Sequence, residues 1–421
     1  MPQTLAEKII ASHTEDGRAC AGDIVDASVD LIMVHEVLGS RIIPILEEMA
    51  FDKVWDPERV LVVNDHWAPP PDTESAQIHI RNRQFVKEQG IKHFCDVECG
   101  ICHQVLAEEG LALPGMLIIG SDSHSTTYGA FNAFSAGLAA TDSAMILATG
   151  KIWLRVPEAL RIDINGELPK RVMSKDLMLK IVTDLGTDGA NYQSMEFFGS
   201  LIDNLSVGSR MTMCNMTVES GAKCGIMPVN RHVEEWIKRY APEKRWKATM
   251  PDVGAEYIES LSYEVNKNSL EPMVAKPHSP ANSRPIPEIG DIEIDQAFIG
   301  SCTNGRLEDL SIAAQILRGN QVHQDTRLII TPASRATYIA ALKDGIIEIL
   351  LESGAIVTNS TCGACIGGHL GVLGPNEVCI SSTNRNFQGR MGDPTSIVYL
   401  ASPATVAASA ITGRITDPRE V

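Results

Sequence analysis

Short apolar runs bounded by polar, glycine- or proline-containing turns recur along the chain and alternate with stretches of helical periodicity. Val60 to Asn64 (VLVVN) and Met116 to Gly120 (MLIIG) are too short for helices and have polar flanks, so each predicts a buried strand. Leu160 to Ile164 alternates as a strand, Asn165-Gly166 is a turn signal, and helical periodicity begins at Lys175. Arg327 to Thr331 predicts a strand, Ala336 to Glu352 one helix ending near Gly354, and Ala355 to Thr358 a second strand. Such a βαβ unit carries parallel strands and a right-handed crossover, which places the chain in the α/β class.

Shifts in this pattern mark domains. The change near Val156-Pro157 and the Pro- and Ser-rich stretch Pro272 to Pro287, which reads as an extended linker, divide the chain into residues 1–157, 158–271 and 272–421. At 421 residues the chain exceeds what one hydrophobic core sustains. Hydrophobic residues make up 44% and aromatics only 5%, so the core is expected to be Ile, Leu, Val, Ala and Met, as in sandwiched parallel sheets.

Charge narrows the partners. Lys and Arg number 36 against 53 Asp and Glu, a net charge of −17, which repels nucleic-acid phosphates and anionic membrane surfaces. Met1 to Ile10 lacks the features of a secretory signal, and no stretch approaches the roughly 20 apolar residues of a membrane span. The expected location is cytoplasmic.

In a reducing compartment ten cysteines point to metal or catalysis before disulfides. Cys20, Cys214, Cys224 and Cys379 stand alone and read as packing residues. Cys362-x2-Cys365 aims two sulfurs from one tight turn, with Gly363 permitting close backbone approach; by itself it reads equally as a redox dithiol or half a zinc site. Cys302 in GSCTNGR follows the apolar strand Ala297-Phe298-Ile299, so sheet ends can bring it to the other two. Three thiolates would leave one iron of a cubane without a protein ligand, as a catalytic site requires. Cys95-x3-Cys99-x2-Cys102 has the spacing used by radical S-adenosylmethionine enzymes, but Cys102 runs straight into His103-Gln104, and packing or surface thiols are the plainer reading.

Acid–base groups stand at the ends of the predicted strands: Asp65-His66 after the first, Asp122-Ser123-His124 after the second, where open α/β sheets place ligands. Arginine holds carboxylates in bidentate geometry, and NRNFQGR carries Arg385 and Arg390 one short strand (Val378 to Ser381) beyond the cysteine pair.

GSCTNGR, TCGAC, TNRNFQGR, ICHQV, GSDSH and the Asp-His at 65–66 occur in the order and approximate spacing of the aconitase superfamily, and the resemblance covers essentially the whole chain. GSCTNGRLEDL, ITPASR and ASPATVAASAITG are most similar to the large subunits of 3-isopropylmalate dehydratases and their homoaconitase relatives. The resemblance implies three aconitase-type α/β domains around a 4Fe-4S cluster held by Cys302, Cys362 and Cys365, with one iron not ligated by protein. It pairs Asp65 with His66, Asp122 with His103, and Glu219 with His124 as catalytic groups. Ser123, Asn215, Asn384, Arg385 and Arg390 would bind substrate. His35 stands in a divergent substrate-contacting loop and is left undecided; Trp67 and Tyr128 also depart from the common wording.

The chemistry so implied is reversible loss and re-addition of water on a hydroxy di- or tricarboxylate. Isopropylmalate isomerisation in leucine biosynthesis comes first, homoaconitase second, and a dimethylmalate or methylmalate (citraconate-type) hydro-lyase third. The base that takes the carbon-bound proton belongs, in the family, to a fourth swivelling domain. Its expected place here is a separate small subunit, giving a heteromer. Two readings from other classes stay open: a cluster-free RNA-binding regulator, which the −17 charge disfavours, and a radical iron–sulfur enzyme built on the Cys95, Cys99, Cys102 triplet.

Overall fold

The structure, a computed structural model, describes residues 1–421. Three larger sheets organise it, beside a two-stranded antiparallel pair of Ile24–Ser28 with Lys151–Arg155. The first is parallel and runs, in spatial order, His93–Cys95, Val60–Val63, Leu31–His35, Leu117–Gly120 and Phe134–Gly137. Most residues of its inner strands are buried, which accounts for the uninterrupted apolar runs. The second, also parallel, runs Cys224–Ile226, Ser194–Phe198, Ala159–Gly166 and Glu259–Val265. The third has a parallel body, Ile397–Ala401, Val378–Ser381, Gln296–Ile299, Arg327–Ile330 and Ile356–Val357.

Two expectations fail here. Pro272 to Pro287 is not a linker: Met273–Ala275 and Ser283–Pro285 form an antiparallel hairpin along the edge of the third sheet, paired to Ile397–Ala401. Its prolines fit because an outer edge strand needs no full row of N–H donors, while Met273, Val274 and Ala275 bury their side chains. The helix expected over Ala336 to Glu352 is two, Arg335–Lys343 and Ile346–Glu352. Gly345 between them has φ +70°, a left-handed conformation that stops the first helix and starts the second. No helix is long and apolar enough to cross a membrane.

The strand order matters for the site. In the first sheet the chain runs outward from Leu31–His35 to His93–Cys95 and then returns to its other side at Leu117–Gly120. In the third it does the same from Gln296–Ile299 to Ile356–Val357 and back to Val378–Ser381, so both sheets have a switch point where the adjoining loops part and leave a crevice beyond the carboxyl ends. One contiguous core joins the sheets, with Met33 and Leu61 from the first, Leu160 and Phe197 from the second and Phe298 and Leu400 from the third, so the two crevices are held face to face. Between the first two sheets, the 3-10 segment Ser123–Phe131 lies directly against Cys224–Ile226. A Cβ on Gly129 would fall 1.5 Å from the Gly225 carbonyl oxygen, so only glycine permits that approach.

Arg210 locks the same junction from within. It is fully buried, and its guanidinium donates to the carbonyls of Ala130, Ile202 and Pro228, one from the first unit and two from the second. No carboxylate faces it closely; the charge is solvated by backbone dipoles. Arg210→Met would strand those three acceptors without water. We expect a loss of about 3 kcal/mol in stability, read as a lowered urea midpoint at unchanged denaturant slope.

Candidate active site

Asp65, His66, Asp122 and His124 sit just past strands of the first sheet, His103 lies in the first turn of the helix Cys102–Glu108, and Glu219 lies in the 3-10 turn Thr217–Ser220. Asp65 and His66 follow Val60–Val63, with His66 Nδ1 2.7 Å from Asp65 Oδ1. Asp65 is fully buried, and its other oxygen accepts the backbone N–H of Cys102 at 2.7 Å. Burial opposes the charge on both partners. Their mutual attraction overcomes it, holding the Asp65 carboxyl well below its usual range and, with help from Cys362 and Asp122, carrying His66 well above the usual histidine value.

Asp122 follows Leu117–Gly120 and is shared. Its Oδ1 lies 2.9 Å from His103 Nε2 and accepts the His124 backbone N–H at 2.7 Å, while Oδ2 lies 3.7 Å from His66 Nε2. Burial again works against the anion, but the hydrogen bonds from His103, His124 and His66 keep its pKa well below the normal carboxylate value. The other side of His103 meets the Tyr128 hydroxyl at 3.0 Å, which fixes the ring. His124 Nε2 is 2.8 Å from Glu219 Oε1, and Arg385 Nε donates to both Glu219 oxygens at 2.9 and 3.1 Å. Arg385 Nη1 reaches the Ser123 hydroxyl at 2.9 Å, which leaves Nη2 without a partner in the chain.

Below these groups lie the three cysteines, all free and buried. Cys302 and Cys362 pack with Ile101 and Ala333; Cys365 Sγ is 3.6 Å from the Ser301 hydroxyl, which is 3.8 Å from Cys302 Sγ. The loop geometry is tight: Ser301 has φ +76° and Gly363 φ +56°, left-handed positions that turn the sulfurs inward. Cys362 Sγ lies 3.9 Å from Asp65 Oδ2, so the sulfurs border the acid–base groups. Asn215 and Asn384 each donate a side-chain N–H to Cys302 Sγ, at 3.2 and 3.4 Å. Burial pushes the Cys302 thiol up to about 11 and Cys362 well above the ordinary value. Amide donors aimed at a buried sulfur, with no solvent to sustain a thiolate, are what a sulfur bound to a metal centre needs, so this donor set fits an iron–sulfur cluster.

Of the residues singled out in the sequence, Arg390 alone makes no side-chain hydrogen bond to the others. Its backbone carbonyl abuts Gly367, and its Nε is buried without a partner. Several neighbours escaped the sequence reading. Glu36, fully buried, accepts the backbone N–H groups of Asp65 at 3.0 Å and Trp67 at 2.7 Å and so clamps the loop that carries His66. Burial, then the nearby Asp65, raises its carboxyl to about 7. The signal was available, because Glu36 directly follows the strand ending at His35. Lys175 donates to the carbonyls of Ser382 and Thr383, just before Asn384-Arg385; Arg306 donates to those of Cys302 and Thr303. Nothing in the local sequence marks Lys175, and Arg306 closes the GSCTNGR motif without having been given a role. His369 has Nε2 3.1 Å from the His66 carbonyl.

His35 stacks on His66, ring centroids 4.3 Å apart and planes 24° from parallel, with Nε2 3.2 Å from the Ser121 carbonyl.

With this geometry described, the class can be stated: the chain belongs to the aconitase family, whose model (aconitate hydratase) matches residues 7–291 and 287–413. Among relatives, the 3-isopropylmalate dehydratase large subunit 1 of Methanopyrus kandleri is 50% identical, the match covering 100% of this chain and 99% of that protein. The probable methanogen homoaconitase large subunit of Methanothermobacter thermautotrophicus is 47% identical, covering 99% of this chain and 97% of that one. The crystal structure of Thermococcus kodakaraensis aconitase X (holo-form) superposes with a TM-score of 0.50 at 15% identity, covering 87% of this chain and 88% of the other, a likeness of fold.

The stacked pair yields a pH prediction. Burial, then the neighbouring His66, lowers the His35 pKa from 6.5 to about 4, so the folded state binds fewer protons than the unfolded one between those values. Its contribution to stability is intact above the higher value and is lost as pH falls through the window, roughly 3 kcal/mol at full extent. His35→Gln keeps a donor for Ser121 but cannot titrate. Acid unfolding followed by circular dichroism should show a shallower loss of stability between pH 6.5 and 4 in the variant; parallel curves would refute the assignment.

Proposed function

We propose that this chain is the large subunit of a hydro-lyase that reversibly dehydrates a hydroxy dicarboxylate, with 3-isopropylmalate as substrate. It holds a 4Fe-4S cluster through Cys302, Cys362 and Cys365, one iron being without a protein ligand, and it works with a small subunit. One observation carries the reading: three carboxylate–imidazole pairs and an arginine with a free nitrogen close over three buried thiols. Relatives named as large subunits match the chain end to end, and that name is what supports a smaller partner. When bound, the cluster supplies a Lewis acid for the substrate hydroxyl.

The protein's own groups do the rest. His66, kept charged by Asp65, sits at the edge of the sulfur floor and gives its proton to the departing hydroxyl; in the reverse direction it takes one back. Glu36 holds the His66 loop at the correct height. Asp122 keeps the His103 ring oriented and holds the backbone N–H of His124. Arg385, fixed by Glu219 and Ser123, turns its remaining nitrogen to a substrate carboxylate, and Ser123 marks the same wall. Asn215 and Asn384 brace Cys302 and each other. The base for the carbon-bound proton comes from the small subunit. The three sheets correspond to three domains, divided near residues 157 and 271.

Homoaconitase is the second reading, supported by a relative at 47% identity against 50% for the dehydratase.

The test begins with anaerobic iron–sulfur reconstitution, mild oxidation and electron paramagnetic resonance. A three-iron signal is expected, reversed by ferrous iron, absent in Cys302→Ser and retained in Cys99→Ser; a four-thiolate cluster, or none, would sink the proposal. With the small subunit added, the unsaturated acid formed from 3-isopropylmalate is followed by its ultraviolet absorbance, homoaconitate serving as the competing substrate. Glu219→Gln, which releases both His124 and Arg385, should lower kcat/KM by about 10²–10⁴-fold.

A further inference from the structure

Four residues at the switch point of the first sheet form a group that the proposed reaction uses only in part. His35 ends the strand Leu31–His35, Glu36 opens the helix Glu36–Glu48, and Asp65 and His66 follow the strand Val60–Val63. The two strands are parallel neighbours with His35 opposite Val63, so both loops leave the sheet at one level. One donor atom from each of His35, Glu36, Asp65 and His66 lies within 4.8 Å of those of the other three, and all four residues are buried.

Their hydrogen bonds orient these groups without exhausting them. The Ser121 carbonyl can only accept, so the His35 nitrogen 3.2 Å from it, Nε2, carries the proton. Nδ1 keeps its lone pair, and it is buried with no hydrogen-bond partner. A ring anchored to a main-chain carbonyl through one N–H, its other nitrogen free, is the arrangement that metal-binding histidines adopt. The carboxylates are braced by backbone in the same way. Glu36 accepts the N–H groups of Asp65 at 3.0 Å and Trp67 at 2.7 Å, and Asp65 Oδ2 accepts that of Cys102 at 2.7 Å. Each carboxylate oxygen has a second acceptor position, which leaves room for a cation. His66 is the member that must move: it stacks on His35 with centroids 4.3 Å apart, and the rings must open from 24° before their lone pairs converge.

We propose that His35, Glu36, Asp65 and His66 form a second metal site, separate from the cysteines, which takes a divalent cation of the zinc type and inhibits the enzyme when filled. Two imidazoles with two carboxylates suit zinc better than calcium or magnesium, which take oxygen ligands, and the two carboxylates balance its charge in a buried space. Coordination takes the lone pair on which His66 carries the proton for the departing hydroxyl, so His66 serves the cation or the reaction, not both. The inhibition rests on the proposed function; the binding does not.

The full chain, with its cluster reconstituted, is mixed anaerobically with one equivalent of zinc chloride and desalted. Zinc and iron are counted by plasma mass spectrometry, and X-ray absorption is recorded at the zinc edge. One zinc per chain is expected, with iron unchanged and a first shell of nitrogen and oxygen at about 2.0–2.2 Å, without sulfur near ~2.3 Å. His35→Gln, its fold checked by circular dichroism, should bind zinc about 10-fold more weakly or worse. With the small subunit present, zinc should inhibit over the concentration range in which it binds, and a chelator should restore the rate. In His35→Gln the half-inhibiting concentration should rise by the same factor as the binding constant, each protein being compared with its own zinc-free rate. No retained zinc, a sulfur shell, loss of iron as zinc enters, or undiminished binding in folded His35→Gln overturns the site; the wild-type edge spectrum decides this without any variant. A nitrogen–oxygen site that fills without inhibition overturns the inhibitory role and leaves the hydro-lyase reading untouched.

Discussion

Four carboxylates, Glu36, Asp65, Asp122 and Glu219, stand in a space almost closed to water, and the active site depends on how that charge is neutralised. An isolated carboxylate in such a place would protonate. Asp65, Asp122 and Glu219 stay ionised because imidazoles and a guanidinium meet them at hydrogen-bond distance. Glu36 accepts hydrogen bonds only from backbone N–H groups, has an anion beside it and meets no cationic partner nearer than the His79 Nε2 at 4.0 Å, and burial raises its pKa toward neutrality. The same crevice thus contains firm anions beside histidines and one carboxyl poised to hold a proton, a separation of protonation states that acid–base chemistry at neutral pH requires.

The fold supplies this arrangement by bringing two switch points together. The first sheet delivers His66, His103, Asp122 and His124; the third delivers the cysteines, Asn384 and Arg385; the segment Val207–Met216 and the turn after it add Asn215 and Glu219. Cations that touch no acid–base group keep these loops in place. Lys175 and Arg306 are fully buried and bind the carbonyls beneath Asn384 and Cys302, and Arg210 does the same at the junction of the first two sheets. Burial lowers the Lys175 pKa to about 7, so in a molecule with a net charge of −17 it is the inward-facing guanidiniums that keep the interior from being uniformly negative.

Environment gives the ten cysteines different chemistry. Cys302 receives two amide N–H groups, whereas burial alone pushes the Cys214 thiol up to about 12 and raises Cys224 and Cys379 further. Spacing separates the C-x-x-C pair from solitary residues, but it could not distinguish a sulfur braced by amides from one packed among methyl groups.

Much of this was legible in the chain. Uninterrupted apolar runs foretold buried parallel strands because side chains on both faces must be apolar, and the Asp-His and Asp-Ser-His groups at their ends foretold the crevice. Six motifs in register pointed to the family. The sequence failed where long-range pairing overrides local preference: a proline-rich stretch became an edge hairpin once Ile397–Ala401 offered it a partner, and one glycine split a periodic helix. Lys175 was invisible for a related reason, and the roles of Glu36 and Arg306 were not legible either, since their partners are main-chain groups that come near only through folding. Residue type and spacing determine what chemistry a segment can offer; which segments share a buried space, and hence which charges must be paired there, is decided by the packing of the three sheets.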